Sequence, residues 1–186
     1  KQILKNPECT VHDIGDGVMC IEFQTKGNSI GEGIAKGINE AIDIAEKDGW
    51  NGIVIGNNDK QFSVGANLMN MGMMAMQKNF EEIEKFLVGF QKILMRMRTC
   101  NVPVVSATHG FVLGGGLEVS IHCDAGIHAS ESYIGLVEAG VGLIPGGGGT
   151  KEMAMRASDS FNSGDVKMPS LIAVSYTHLT LPTKVY

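Results

Sequence analysis

Glu118 follows three consecutive glycines in the stretch GFVLGGGLEVS at residues 110–120, and a second glutamate, Glu138, stands in the apolar stretch YIGLVEAG at residues 133–140. Glycine loses more freedom on ordering than any other residue, so three in a row need a reason. They lie between a strand-like run, Val102 to Ala107, and a helical pattern from Leu117 to Cys123 that holds Glu118. The first N–H groups of a helix have no partner within it and point outward with the positive end of its dipole. With no Cβ beside them a ligand oxygen can approach, which makes half of an oxyanion hole. The stretch FSVGAN at residues 62–67 also follows a strand, Gly52 to Ile55, and precedes a helix, and its amides are candidates for the other half. A carboxylate in apolar surroundings, as Glu138 is, needs a partner or a task. Two carboxylates beside two oxyanion donors would activate a water and protonate a carbon. Singly, each piece has an ordinary reading: glycine before a helix caps it, and a first-turn glutamate complements the dipole.

Rival chemistries fit less well. No G-x-G-x-x-G stands at a strand-to-helix junction, and in PGGGGTK the order of Thr150 and Lys151 is the reverse of a phosphate loop. Gly27-Asn28-Ser29-Ile30-Gly31 is a literal G-x-S-x-G between a strand and a helix, but nothing marks His109, His122 or His128 as the base a serine hydrolase requires. The methionines read as pliable lining or core rather than a metal box. Four cysteines at irregular spacing, with no C-x-x-C, suggest reduced thiols in the cytoplasm and no metal site. A net charge of -5 without a long basic run suggests neither a nucleic acid nor a membrane partner.

The elements that must hold these residues alternate in type. Val11 to Ile14 and Val18 to Phe23 flank the hairpin signal Gly15-Asp16-Gly17. Ile34, Ile38, Ile42 and Ala45 recur at helical spacing and predict an amphipathic helix over 31–48. Further helices are expected over 67–77, 80–98 and 150–157, with an extended segment from Ala125 to Ala129. Alternation of this kind predicts an α/β domain with largely parallel pairing. Residues 171–186 have no clean period and read as an atypical tail, while the opening Lys1 suggests a fragment.

The segments FSVGANL, HGFVLGGGLEVSIHCD and YIGLVEAGVGLIPGGGGTKEMAMR, with KGNSI before them, resemble in order and spacing the enoyl-CoA hydratase/isomerase (crotonase) superfamily. Within it they are most similar to the hydratase part of bacterial bifunctional 3-hydroxyacyl-CoA dehydrogenase/enoyl-CoA hydratase proteins. The resemblance implies a spiral of ββα turns over residues 1–170, truncated at its C-terminal end and usually assembled as trimers. It further implies that the N–H groups of Ala66 and Gly115 bind a thioester oxygen, that Glu118 and Glu138 hold the adding water, and that Glu138 protonates Cα. Gly146 would position the water. Lys26, Gly27, Asn28 and Ser29, with the backbone near Val64, Asn67 and Leu68, would contact coenzyme A. Asn67 and Val137 stand where many relatives carry Asp and Pro.

The expected activity is hydration of trans-2-enoyl-CoA in fatty-acid β-oxidation, with no cofactor beyond the coenzyme A that carries the substrate. Retention of both glutamates favours hydration over double-bond isomerisation. A non-catalytic acyl-CoA-binding fragment is the alternative of a different class.

Overall fold

The computed structural model describes residues 1–162 and the short strand Thr183–Lys184. The tail read over 171–186 otherwise lies outside the described residues.

Three strands open the chain: β1 (Gln2–Lys5), β2 (Cys9–Gly15) and β3 (Val18–Phe23), paired antiparallel in sequence order. The β2–β3 turn places Gly15, Asp16 and Gly17 at φ of 99°, 54° and 71°, the left-handed region that two glycines and an aspartate tolerate. Helix α1 (Glu32–Asp48) then carries the chain across to β4 (Gly52–Gly56), which pairs parallel with β3. Gly49 ends the helix in the left-handed conformation at φ 72°. Helices α2 (Leu68–Met76) and α3 (Phe80–Thr99) precede β5 (Val104–Thr108), and β6 (Phe111–Leu113) leads into α4 (Gly115–Ile121). Strands β7 (Ala125–His128) and β8 (Tyr133–Gly135) follow, then a 3₁₀ turn at Glu138–Val141, helix α5 (Gly149–Asn162) and β9 (Thr183–Lys184).

The main sheet has six strands in the order β1-β2-β3-β4-β5-β7, antiparallel at its start and parallel from β3 onward. A second sheet, β6-β8-β9, pairs β6 and β8 in parallel. The core lies where α1 and α3 meet each other and the sheet: Ile34, Ile38, Ile42 and Ala45 of α1 are buried, as are Phe90, Leu94 and Met97 of α3. Ile38 is 1% exposed, so Ile38→Ala is expected to lower unfolding free energy by about 2–5 kcal/mol. Urea denaturation followed by circular dichroism measures it.

The sequence reading missed β1, β6 and β8, which run for four, three and three residues and are too short to show an alternating pattern. Helix α4 begins two residues before the expected Leu117, because Gly115 and Gly116 are helical but carry no side chain to mark the period. Helix α2 lies where its methionines predict, yet none of its residues is buried; Met69 and Met76 are 77% and 86% exposed. Met71, Met73 and Met74 line clefts, whereas Met69 and Met76 face outward, and none belongs to the core.

Candidate active site

The two glycine turns are adjacent in space, and their hydrogen bonding decides which amides stay open. Ser63 N donates to Phe111 O at 2.9 Å and Leu113 N to Ser63 O at 3.0 Å, a parallel bridge that lays residues 62–67 alongside β6. A second parallel bridge joins Ile30 and Ala66 through Ile30 N to Gly65 O and Asn67 N to Ile30 O. A bridge of this type engages the carbonyl before its central residue and the amide after it. The N–H of Ala66 takes no part in it. Val64 N is taken by Gly27 O, Gly65 N by Ser63 Oγ and Gly114 N by Gly135 O. Gly115 is the first helical residue of α4, where an amide has no intrahelical acceptor. Among the described residues neither Ala66 N nor Gly115 N donates a hydrogen bond.

At position 65 only glycine permits this approach. Gly65 sits at φ +93°, and a Cβ there would stand 2.8 Å from Leu113 O and 3.1 Å from Gly115 N. A Cβ on Gly115 would lie 3.4 Å from Ala66 N. The three consecutive glycines thus serve three separate needs. Gly114, at φ +51°, lets the chain turn under Glu138, Gly115 exposes an amide, and Gly116 packs on Ser63, whose Cβ would be 2.7 Å from a side chain there.

Glu118 is 2% exposed and is held by the turn before α5: Gly147 N and Gly149 N donate to its Oε1 at 2.8 and 2.9 Å. Burial pushes its carboxyl above the ordinary range, against the opposing pull of the Gly149 and Gly147 amides. Glu138 opens the 3₁₀ turn, and its Oε1 stands over Gly114, 2.9 Å from where a Cβ would be. Its Oε2 is buried with no hydrogen-bond partner among the described residues. Burial pushes the Glu138 carboxyl up to about 7, and the charge of Glu118 adds to the rise. Two amides of the turn before α5 hold Glu118 and favour its ionised form, whereas Glu138 has only its own main-chain amide against the effect of burial. That is the asymmetry an acid and a base need.

Both carboxyls, both turns and Gly146 border one cleft of about 490 Å³, whose remaining wall is apolar apart from Gln91: Met71 of α2, Phe86 and Phe90 of α3, and Val141, Leu143 and Ile144 beyond the second glutamate. Gly146 uses its carbonyl to accept from Gln91 Nε2 at 2.6 Å. The donors Gly147 and Gly149 were not singled out from sequence, although a glycine run entering a helix is where unpartnered amides are found.

The residues expected to touch coenzyme A divide. Lys26, Val64 and Leu68 are exposed, with Val64 and Leu68 also on the cleft. Gly27, at φ +64°, and half-buried Ser29 shape the turn before α1. Asn28 is turned inward, 2% exposed, with Nδ2 donating to Gln61 O at 2.9 Å, so its side chain holds the loop. Asn67 caps α2, its Oδ1 accepting from Asn70 N at 3.3 Å. No group of His, Cys, Asp and Glu side chains with metal-binding geometry occurs among the described residues. No helix among them is long and apolar enough to cross a membrane.

Bare amides from two turns thus face one cleft with a pair of unlike carboxyls in an α/β protein. Residues 13–166 match the family model described as enoyl-CoA hydratase/isomerase, and the chain belongs to that family. It is 43% identical over 151 residues to a probable 3-hydroxyacyl-CoA dehydrogenase of Bacillus subtilis, an alignment covering 81% of this chain and 19% of that protein. It is 36% identical over 102 residues to a short-chain-enoyl-CoA hydratase of Clostridium acetobutylicum, covering 55% of this chain and 38% of that one. The chain thus spans well under half the length of both relatives. The crystal structure of an enoyl-CoA hydratase from Bacillus anthracis superposes with a TM-score of 0.77 at 23% identity, covering 92% of this chain and 63% of that chain. At that identity the likeness concerns the fold.

Proposed function

We propose that this chain carries the site for reversible hydration of a trans-2-enoyl-CoA to a 3-hydroxyacyl-CoA, as in fatty-acid β-oxidation. The observation that supports this best is the meeting, at one cleft, of two unengaged main-chain amides with one glutamate held by two amides and another whose buried Oε2 has no partner. The thioester oxygen accepts from Ala66 N–H and Gly115 N–H. As water adds to Cβ, the electrons of the Cα=Cβ bond shift toward that oxygen, and the enolate charge grows where the two donors wait. Glu118, ionised, takes a proton from the water, and Glu138, protonated, delivers one to Cα. Exchange with solvent resets the pair. Gly146 borders the water's position, and the exposed turn around Lys26 and Ser29, with Val64 and Leu68, receives the coenzyme A moiety. The protein works in the cytoplasm, and its family domain assembles as a homo-oligomer.

Loss of the conjugated enoyl absorbance on adding the purified chain to a trans-2-enoyl-CoA tests the reading. Binding without any loss would make it an acyl-CoA binder, and conversion only of a 3-enoyl-CoA would make it an isomerase. The protonation states predict the pH profile. Hydration needs Glu138 protonated, so kcat/KM is expected to fall about tenfold per pH unit above a pH of about 7. A rate that climbs steadily through that range would contradict the role given to Glu138.

A further inference from the structure

One buried carboxylate has no part in the chemistry above. Glu152, in the first turn of α5, is 0% exposed, and its backbone N–H donates to Gly148 O at 3.0 Å. Its carboxylate is paired with Arg98 of α3, lies 3.3 Å from Lys151 Nζ and stands 3.7 Å from His122 Nε2. His122 is itself 1% exposed, and its Nδ1 is 2.7 Å from the main-chain oxygen of Glu118. That oxygen can only accept, so Nδ1 carries the hydrogen. An ionised group fully inside a protein costs a great deal unless its partner is close, and α5 could be anchored by packing alone. The pair therefore calls for a reason.

The reason lies in the spacing along α3. Gln91 and Arg98 are seven residues apart (98 minus 91) and so share one face of the helix. Gln91 holds Gly146 O on one side of the glycine turn, and Arg98 holds Glu152 on the other. Between these two ties lie Gly147 and Gly149, the donors to Glu118. A glycine run left to itself has no side chains to fix its amides in direction. We propose that Arg98 and Glu152 are positioning residues, an ion pair that clamps the start of α5 to α3 so that the Gly147 and Gly149 amides stay aimed at the Glu118 carboxylate. His122 completes the frame from behind, holding the main chain of the same glutamate.

The role in turnover rests on the hydratase reading, but the clamp itself does not, and the experiment separates them. In the 186-residue chain, Glu152→Gln and Arg98→Gln are compared with Arg98→Lys, which keeps the cation. Amide hydrogen exchange is followed at Gly147 and Gly149 and, as a control, at Ile53 and Ile55 of β4. Both glutamine variants are expected to speed exchange at the two glycines about tenfold or more while leaving β4 unchanged, and Arg98→Lys to restore most of the protection. In turnover of a trans-2-enoyl-CoA, kcat is expected to fall about 10- to 100-fold with KM within about twofold, because a displaced general base weakens the transition state more than ground-state binding. Unchanged exchange at Gly147 and Gly149 would overturn the clamp. So would equal acceleration at β4, which would assign the pair to global stability. If Glu152→Gln does not fold, the comparison of Arg98→Gln with Arg98→Lys decides alone. A wild-type chain without turnover would count against the hydratase reading and leave the exchange result to judge the clamp.

Discussion

Glutamine in place of Glu138 is expected to lower kcat for hydration by about 10²- to 10⁴-fold with KM for the enoyl thioester nearly unchanged. The amide fits the space over Gly114 that the carboxyl occupies but has no proton of the required acidity to give to Cα. The same substitution should act on stability in the opposite sense. The fold raises this carboxyl from 4.5 to about 7, so the unfolded chain ionises first as the pH rises. Wild-type stability therefore declines from about pH 4.5 to about pH 7 and levels off above that, whereas the glutamine variant lacks this decline. Thermal melts should favour the variant at pH 8 and converge near pH 4, by the sign of the linkage relation. A variant that hydrates as fast as wild type would remove Glu138 from the chemistry, whatever its melting temperature.

Gly65→Ala is the second large effect. An alanine must hold φ near +93° and push its methyl into Leu113 O and Gly115 N, so the Ala66 turn and the α4 start have to separate. Backbone strain of this kind costs about 1–3 kcal/mol. Losing the alignment of one oxyanion donor costs about 10²- to 10³-fold in kcat. Gly15→Ala is the matched control, because Gly15 has φ +99° with nothing within 4 Å of a Cβ. It should share the loss of stability in urea and keep its turnover. If both variants lose activity alike, the loss follows from strain and not from the geometry at the amides.

Much of the candidate site was legible because the proposed chemistry needs particular residue types in a fixed order. Glu118 drew attention by following three glycines and Glu138 by standing in an apolar run, and the structure brings both to the same cleft as the Ala66 and Gly115 amides. The α1 helix was equally clear, since Ile34, Ile38 and Ile42 point one way and Gly49 stops the chain. Less was visible where main chain does the work. Nothing in PGGGG distinguishes Gly147 and Gly149, which hold Glu118, from Gly146, which gives its carbonyl to Gln91, because that depends on the direction of each peptide plane. Asn28 also illustrates the limit. Its place in the KGNSI turn suits a ligand contact, and only the fold turns the side chain inward to Gln61. Arg98 and Glu152 are 54 residues apart, a separation no local pattern can bridge.

The two bridges at Ser63 and Ala66 assign the amides of that segment one by one: Ser63 N–H goes to Phe111, Val64 N–H and Asn67 N–H go to Gly27 and Ile30 before α1, and Ala66 N–H goes to neither side. The loop is consequently fixed in length, and fixed in residue type at Gly65 but not on either side of it. At Val64 and Ala66, replacement leaves the unengaged Ala66 N–H in place. Inserting or deleting a single residue between 63 and 66 would instead hand the wrong amide to the cleft, a frameshift in space that no choice of side chain can repair.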